Sequence, residues 1–314
     1  MQKAAGVNHV GFGVRNLEVA RKFYQETLDF TFIWDQWDYS INTMADAFRN
    51  SPHNFLGYMF RQKIGGLLLE PILKKYPTPR AIRKKVCYGD LGVNKITIAV
   101  ADVKEFYGAY RDKIVFFSEP KSTVLPGIGD YSFVYGQDPD GNLLEFASWE
   151  GANVKEGIFG GALSVGISVS DLERTKQFYQ QHCDFDVVVS EHECFSGLVG
   201  EMTGNENTKV KSCLLDCSKR KHGGMLELYE VSNPRGRSIP FGSEWGDFGY
   251  MEICLNSLWN AIDLQKYYLE KGVDVVQRPT KFSESPNGVY QYWFLYALDP
   301  DGVFVEHGSA HKVK

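Results

Sequence analysis

Four glutamates stand in short apolar runs where an acid is out of place. Glu70 closes LLLE, Glu145 follows Leu143-Leu144, Glu227 sits in MLELY and Glu306 in FVEH. A carboxylate that faces a core costs free energy unless a cation or hydrogen-bond donors satisfy it. His9 is a fifth candidate. It precedes the alternation Val10, Phe12, Val14, so it lies on the opposite face of that strand. Imidazole and carboxylate groups are the side chains that pass protons near neutral pH and that hold divalent metals. The bland accounts are a structural histidine, and salt bridges or solvent-facing strand ends for the acids.

The elements that must position these groups come in repeats. Gly6 to Asp35 aligns without a gap on Gly161 to Ser190; Val10/Val165, Gly11/Gly166, Phe23/Phe178, Tyr24/Tyr179 and Asp29/Asp184 are among the identical pairs. Each copy is a one-sided strand followed by a capped helix. In the first, Asn16 is the expected cap, and Leu17, Ala20, Phe23, Tyr24 and Leu28 form one apolar stripe. Weaker copies begin at KITIAV, with Asp102 as cap, and at MEICL, with Ser257 as cap and Gly272 past the helix end. Asp138-Pro139-Asp140-Gly141 and Asp299-Pro300-Asp301-Gly302 are type I turn sequences leading into the Glu145 and Glu306 strands. Four units result, at 6–75, 92–149, 161–232 and 248–309. The first carries an insertion over 41–50 with the look of a short helix, the third a polar, Gly-rich one over 195–207; such insertions form lids or plain surface loops.

The β-α-β-β-β order, the opening strand with its FY helix and the DPDG-x-h-h-E hairpin, repeated along nearly the whole chain, resemble the vicinal oxygen chelate superfamily (glyoxalase, bleomycin resistance and extradiol dioxygenase proteins). The resemblance implies an α+β fold of four βαβββ modules paired into two half-open barrel domains, 1–150 and 151–314. It also implies metal ligands at the start of each module's first strand and near the end of its last. The first-strand positions are read as His9, Lys95, Ser164 and Tyr250, the last by matching Met251, Ile253 and Leu255 to Val10, Phe12 and Val14. The last-strand positions are Glu70, Glu145, Glu227 and Glu306. Pairing neighbours in sequence yields a metal set of His9, Glu70 and Glu145, with Lys95 and Tyr250 as candidate catalytic groups. In some relatives the first module meets the fourth, and His9 would then face Tyr250 and Glu306. An oxygen-rich shell favours Mn, Fe or Mg, with Zn or Ni as alternatives. Lys95 departs from the family pattern: it either displaces the metal by pairing with Glu145 or serves beside it as a base or oxyanion partner.

The resemblance thus implies a metal-dependent lyase or isomerase acting through an enediolate on a small substrate with adjacent oxygens. The alternatives are an extradiol-type dioxygenase, disfavoured by the single histidine, and a non-catalytic small-molecule binder. His53, His182, His192, His222 and His311 read as solvated, and the strand from Tyr290 to Tyr296 as core. Composition is that of a soluble globular protein, with 43% apolar and 23% charged residues. A net charge of -5 without a basic stripe argues against nucleic acid, and the basic cluster at Arg80, Arg83, Lys84 and Lys85 reads as a solvated loop. No run approaches the ~18 apolar residues of a membrane span. With the first strand starting near Val7 there is no room for a leader, and six scattered cysteines without a CxxC pair fit reduced thiols in a cytoplasmic protein. Open sheet edges suggest a homodimer.

Overall fold

A computed structural model describes residues 3–41, 53–152, 154, 157–195, 198–240, 242–285 and 287–313. The insertion read as a helix lies, apart from Ile41, outside these residues. The first module runs β1 (Ala4–Gly13), α1 (Leu17–Lys22), β2 (Phe32–Ile41), β3 (His53–Gln62) and β4 (Gly65–Tyr76), with a π-helical turn at Phe23–Thr27 extending α1. The second runs β5 (Gly92–Val100), α2 (Val103–Tyr110), β6 (Val115–Phe116), β7 (Lys121–Leu125), β8 (Gly129–Gln137) and β9 (Leu143–Ser148). The third has β10 (Phe159–Ser168), α3 (Leu172–Cys183), β11 (Val187–Phe195), a single turn α4 (Gly200–Thr203), β12 (Lys209–Asp216) and β13 (Met225–Ser232). The fourth has β14 (Gly249–Ser257), α5 (Ala261–Lys271), β15 (Val275–Glu284), β16 (Tyr290–Leu298) and β17 (Phe304–Lys312). In every module the first strand lies parallel to the last, β1 on β4, β5 on β9, β10 on β13 and β14 on β17.

The local chemistry explains the helices. The side chains of Asn16, Asp102 and Asp171 accept backbone N–H bonds in the first turns of α1, α2 and α3. Helix α5 is capped by Asn260 rather than by Ser257, and Gly272, at φ +71°, closes it. Val10, Phe12, Val14, Ala20, Tyr24 and Leu28 are fully buried in a core shared by all four modules.

The pairing of modules differs from the sequential one. Strand β1 pairs antiparallel with β14, and β5 with β10. The first module therefore shares a half-open sheet with the fourth, and the second with the third, instead of the two sequence halves each closing on themselves. Modules adjacent in sequence meet back to back through the DPDG turns. Tyr24 donates its hydroxyl to Asp138 Oδ2 at 2.9 Å, and the Arg15 backbone N–H reaches Asp140 at 3.1 Å. The second half repeats this lock, with Tyr179 donating to Asp299 at 3.3 Å and the Ser170 N–H to Asp301 at 2.9 Å. All four modules carry the same one-sided strand, so hydrophobic alternation alone does not select the partner.

The linker cations are tied to the body. Arg80 pairs with Asp247 at 3.2 Å and Arg83 with Asp90 at 3.3 Å, so this basic cluster is not merely solvated. Phe294 and Tyr296 are core residues, as read, whereas Tyr290 at the strand start is exposed. No helix among the described residues is long and apolar enough to cross a membrane.

Candidate metal centre

Two polar clusters lie where first strands meet. The first joins β1, β4, β14 and β17. His9 Nε2 is 3.2 Å from Glu70 Oε2 and 3.2 Å from Glu306 Oε2, with all three side chains largely buried. Glu252, fully buried on β14, and Cys254 complete the group: ligand atoms of His9, Glu70 and Glu252 lie within 4.8 Å of one another, as do those of His9, Cys254 and Glu306.

Hydrogen bonding defines the state of His9. Asn8 donates its Nδ2 to Asn256 Oδ1 at 2.7 Å, which turns Asn8 Oδ1 towards His9 Nδ1 at 2.9 Å. Nδ1 must then carry the proton, leaving Nε2 as a lone pair in the neutral ring. That atom faces carboxylates yet has no hydrogen-bond partner of acceptable geometry. Glu252 is similar. Trp245 donates its indole N–H to Glu252 Oε1 at 2.7 Å, while Oε2 is buried and unpartnered. Buried lone pairs aimed at one another repel unless a proton or a cation sits between them.

Without a cation between them, the group takes up a proton instead. Burial acts against the His9 imidazolium, but Cys254 and the Glu70 and Glu306 carboxylates outweigh it and raise the pKa well above the ordinary value. Burial raises Glu70, and burial with the Glu306 and Glu70 charges raises Glu252 strongly. Burial pushes the Cys254 thiol up to about 12. One imidazole, three carboxylates and two orphaned buried atoms fit a divalent cation in a mainly oxygen shell.

The expected set of His9, Glu70 and Glu145 is thus divided. His9 and Glu70 come together, whereas Glu145 belongs to the second cluster, because β9 lies beside β5 and not beside β1. Glu306 takes the place given to Glu145. Tyr250 is also displaced. A bulge at Met251 sets Tyr250 opposite Phe12 and Glu252 opposite Gly11, so Tyr250 packs edge-on against Phe12 and donates its hydroxyl to the Leu143 carbonyl at 3.0 Å. Glu252 was missed by this two-residue shift. Matching Ile253 and Leu255 to Val10 and Phe12 would have put it level with His9.

Lys95 sits in the second cluster, formed by β5, β9, β10 and β13, and not beside His9. Its ammonium pairs with Glu145 Oε2 and lies 2.9 Å from Glu227 Oε2. Thr97 donates to Glu145 at 3.1 Å, Tyr131 donates to it at 2.9 Å, and Ser212 donates to Glu227 at 2.9 Å. Burial would lower the Lys95 pKa, but the two carboxylates raise it well above the ordinary value. A fixed cation thus occupies the position where the first cluster has none. A cavity of about 70 Å³ opens on this cluster. Leu198 and Val199 from the third module's insertion help to line it, and so does His192, which is not simply solvated. A further cavity, about 450 Å³, lies between the two sheets and includes none of the clustered acids among its lining residues.

A sequence model of the Glyoxalase/Bleomycin resistance protein/Dioxygenase superfamily matches residues 6–146 and 161–307. The chain belongs to that superfamily. Among solved structures, this superfamily member superposes on glyoxalase I from Zea mays with a TM-score of 0.62 at 15% identity, covering 98% of this chain and 93% of that one. A putative dioxygenase from Bacillus subtilis gives a TM-score of 0.56 at 13% identity, covering 98% and 86%. At these identities the likeness concerns the fold. No curated protein matches the sequence.

Proposed function

We propose that this superfamily member is a metal-dependent lyase or isomerase whose centre is His9, Glu70, Glu252 and Glu306. The observation that carries the reading is the pair of orphaned atoms, His9 Nε2 and Glu252 Oε2, buried among further carboxylates. A divalent cation held there supplies Lewis-acid stabilisation of an oxyanion on a substrate with neighbouring oxygens.

The chain's own groups supply the rest. Asn8, anchored by Asn256, orients the imidazole through Nδ1. Trp245 holds Glu252 by one oxygen and turns the other towards the cation site; released by an arriving substrate, that oxygen would move the proton. A buried carboxylate with a raised pKa is a stronger base than an exposed one and suits proton abstraction from carbon. Taking a proton from the carbon beside a substrate carbonyl yields an enediolate. Returning it to the adjacent carbon is isomerisation, and expelling a neighbouring group is elimination. Aromatic residues Phe55, Trp245, Phe294 and Tyr296 wall this side of the sheet and keep water away.

Non-haem iron oxygenases generally use two histidines and one carboxylate. Only His9 supplies an imidazole here, which places the dioxygenase reading second. The test is metal analysis of protein purified without added metal, followed by NMR of small hydroxy-ketones in D₂O. About one metal per chain, lost in His9→Ala, together with metal-dependent exchange at the carbon next to the carbonyl, is expected. Oxygen consumption with catechols instead of exchange would transfer the assignment to the dioxygenase class.

A further inference from the structure

We infer that the second cluster is a binding site for a small organic ammonium ion, independent of the metal centre. Its floor holds one buried cation, Lys95, against two buried carboxylates, Glu145 and Glu227, so the formal balance is one negative charge. Uncompensated buried charge is costly, and a monocation entering the cavity would remove the imbalance.

The two acids are not equally committed. Glu145 accepts bonds from Lys95, Thr97 and Tyr131, and its side chain is 3% exposed. Among the described residues Glu227 accepts from Lys95 and Ser212, and it is 16% exposed, which leaves it acceptor capacity on the cavity side. Lys95 outweighs burial to hold Glu227 below its ordinary pKa, so it is ionised at neutral pH. Anions are disfavoured, because the ammonium of Lys95 is already shared by two carboxylates.

The walls suit a cation with an apolar body. Tyr88, Tyr131, Tyr135 and Trp149 line the cavity. Aromatic faces attract ammonium groups, and two rings here already flank one: Lys95 Nζ lies 5.5 Å from the Tyr135 ring centre and 5.6 Å from that of Tyr229. His192 lines the cavity as well, and burial lowers its pKa despite Glu227, so it adds no competing positive charge at neutral pH. A cavity of about 70 Å³ admits roughly four or five non-hydrogen atoms, the size of a short alkylamine.

The experiment is calorimetry and ligand-observed NMR on the full chain with n-propylammonium, propionate, n-propanol and potassium ion. Saturable binding of n-propylammonium alone is expected. Glu227→Gln should weaken it at least tenfold, while Trp149→Ala, which leaves the charges untouched, should weaken it several-fold; circular dichroism would verify that both variants are folded. His9→Ala should leave ammonium binding unchanged, so failure of the metal reading would not alter this result. Absence of ammonium binding by the wild type, equal binding of propionate or potassium, or undiminished affinity in folded Glu227→Gln would overturn the assignment.

Discussion

Glu252 stands directly across the β1–β14 ladder from Gly11, and its carboxylate fills the volume that a side chain at Gly11 would need. The glycine of one module thereby makes room for the acid of another. Gly11→Ala should force Glu252 away from His9. The expected result is a fall in metal affinity of at least tenfold, with a stability loss of about 1–3 kcal/mol, as overpacking usually costs. Metal titration and urea unfolding of the variant would check both, and unchanged metal affinity would refute the proposed role of Glu252.

Trp245 is a positioning residue for the same carboxylate. Trp245→Phe removes the donor to Glu252 Oε1 while keeping most of the packing. Once a substrate is in hand, kcat should fall about 10- to 100-fold, the range seen when an outer hydrogen-bond partner of a metal site is lost. A shifted acidic limb in the pH profile should accompany the fall. A change in KM alone would point to packing instead.

Lys95 occupies the counterpart of the metal position. Lys95→His would replace its fixed charge with an imidazole facing Glu145 and Glu227. Metal content should rise from one to two per chain, readable by elemental analysis after loading and desalting. Lys95→Met supplies neither charge nor ligand. It should destabilise the fold by about 3–5 kcal/mol, the usual cost of leaving buried charges without their partner.

The DPDG aspartates carry a pH dependence. Burial raises Asp138 to about 6 and Asp299 to about 7, despite the hydrogen bonds each accepts. In the unfolded chain both titrate near 3.9. Between those limits the folded state binds more protons, so these groups contribute stability that is present below about pH 4 and is lost as pH rises towards 6 and 7. Asp299→Asn abolishes one share of this loss. Its stability relative to wild type should therefore improve by a few kcal/mol between pH 4 and 7.5, measured by urea denaturation at both values. A difference independent of pH would show that Asp299 does not titrate in this window.

Much of this architecture was legible. The repeat, the caps at Asn16 and Asp102, and the four last-strand glutamates follow from spacing and residue type. Partner choice between modules does not. Gly11 and Gly166 sit in the odd modules and face Glu252 and Lys95 of the even ones, and sequential pairing would also place a small residue opposite a long one. Charge could have discriminated. Sequential pairing would crowd Glu227, Glu252 and Glu306 together without a histidine or lysine at any of the ligand positions, whereas the observed pairing gives each group of acids a basic side chain. That argument required Glu252 to be recognised, and the alignment hid it: Met251, Ile253 and Leu255 alternate in the same way wherever they start, so alternation alone does not exclude a slip of two residues. The lone pair on His9 Nε2 was beyond reach for another reason: it depends on Asn256, 248 positions from Asn8.

The crossed pairing also has a bearing on how the molecule can change over generations. The metal-centre candidates take His9 and Glu70 from the N-terminal half of the chain and Glu252 and Glu306 from the C-terminal half, and the ammonium pocket takes Lys95 and Glu145 from the former and Glu227 from the latter. Neither half owns either constellation. Severing the chain in the stretch 151–160 would leave two fragments that each lack every complete constellation, and a drift in the spacing of either half would be felt at both pockets together. The crossed pairing therefore ties the two candidate sites together mechanically, although their chemistry differs.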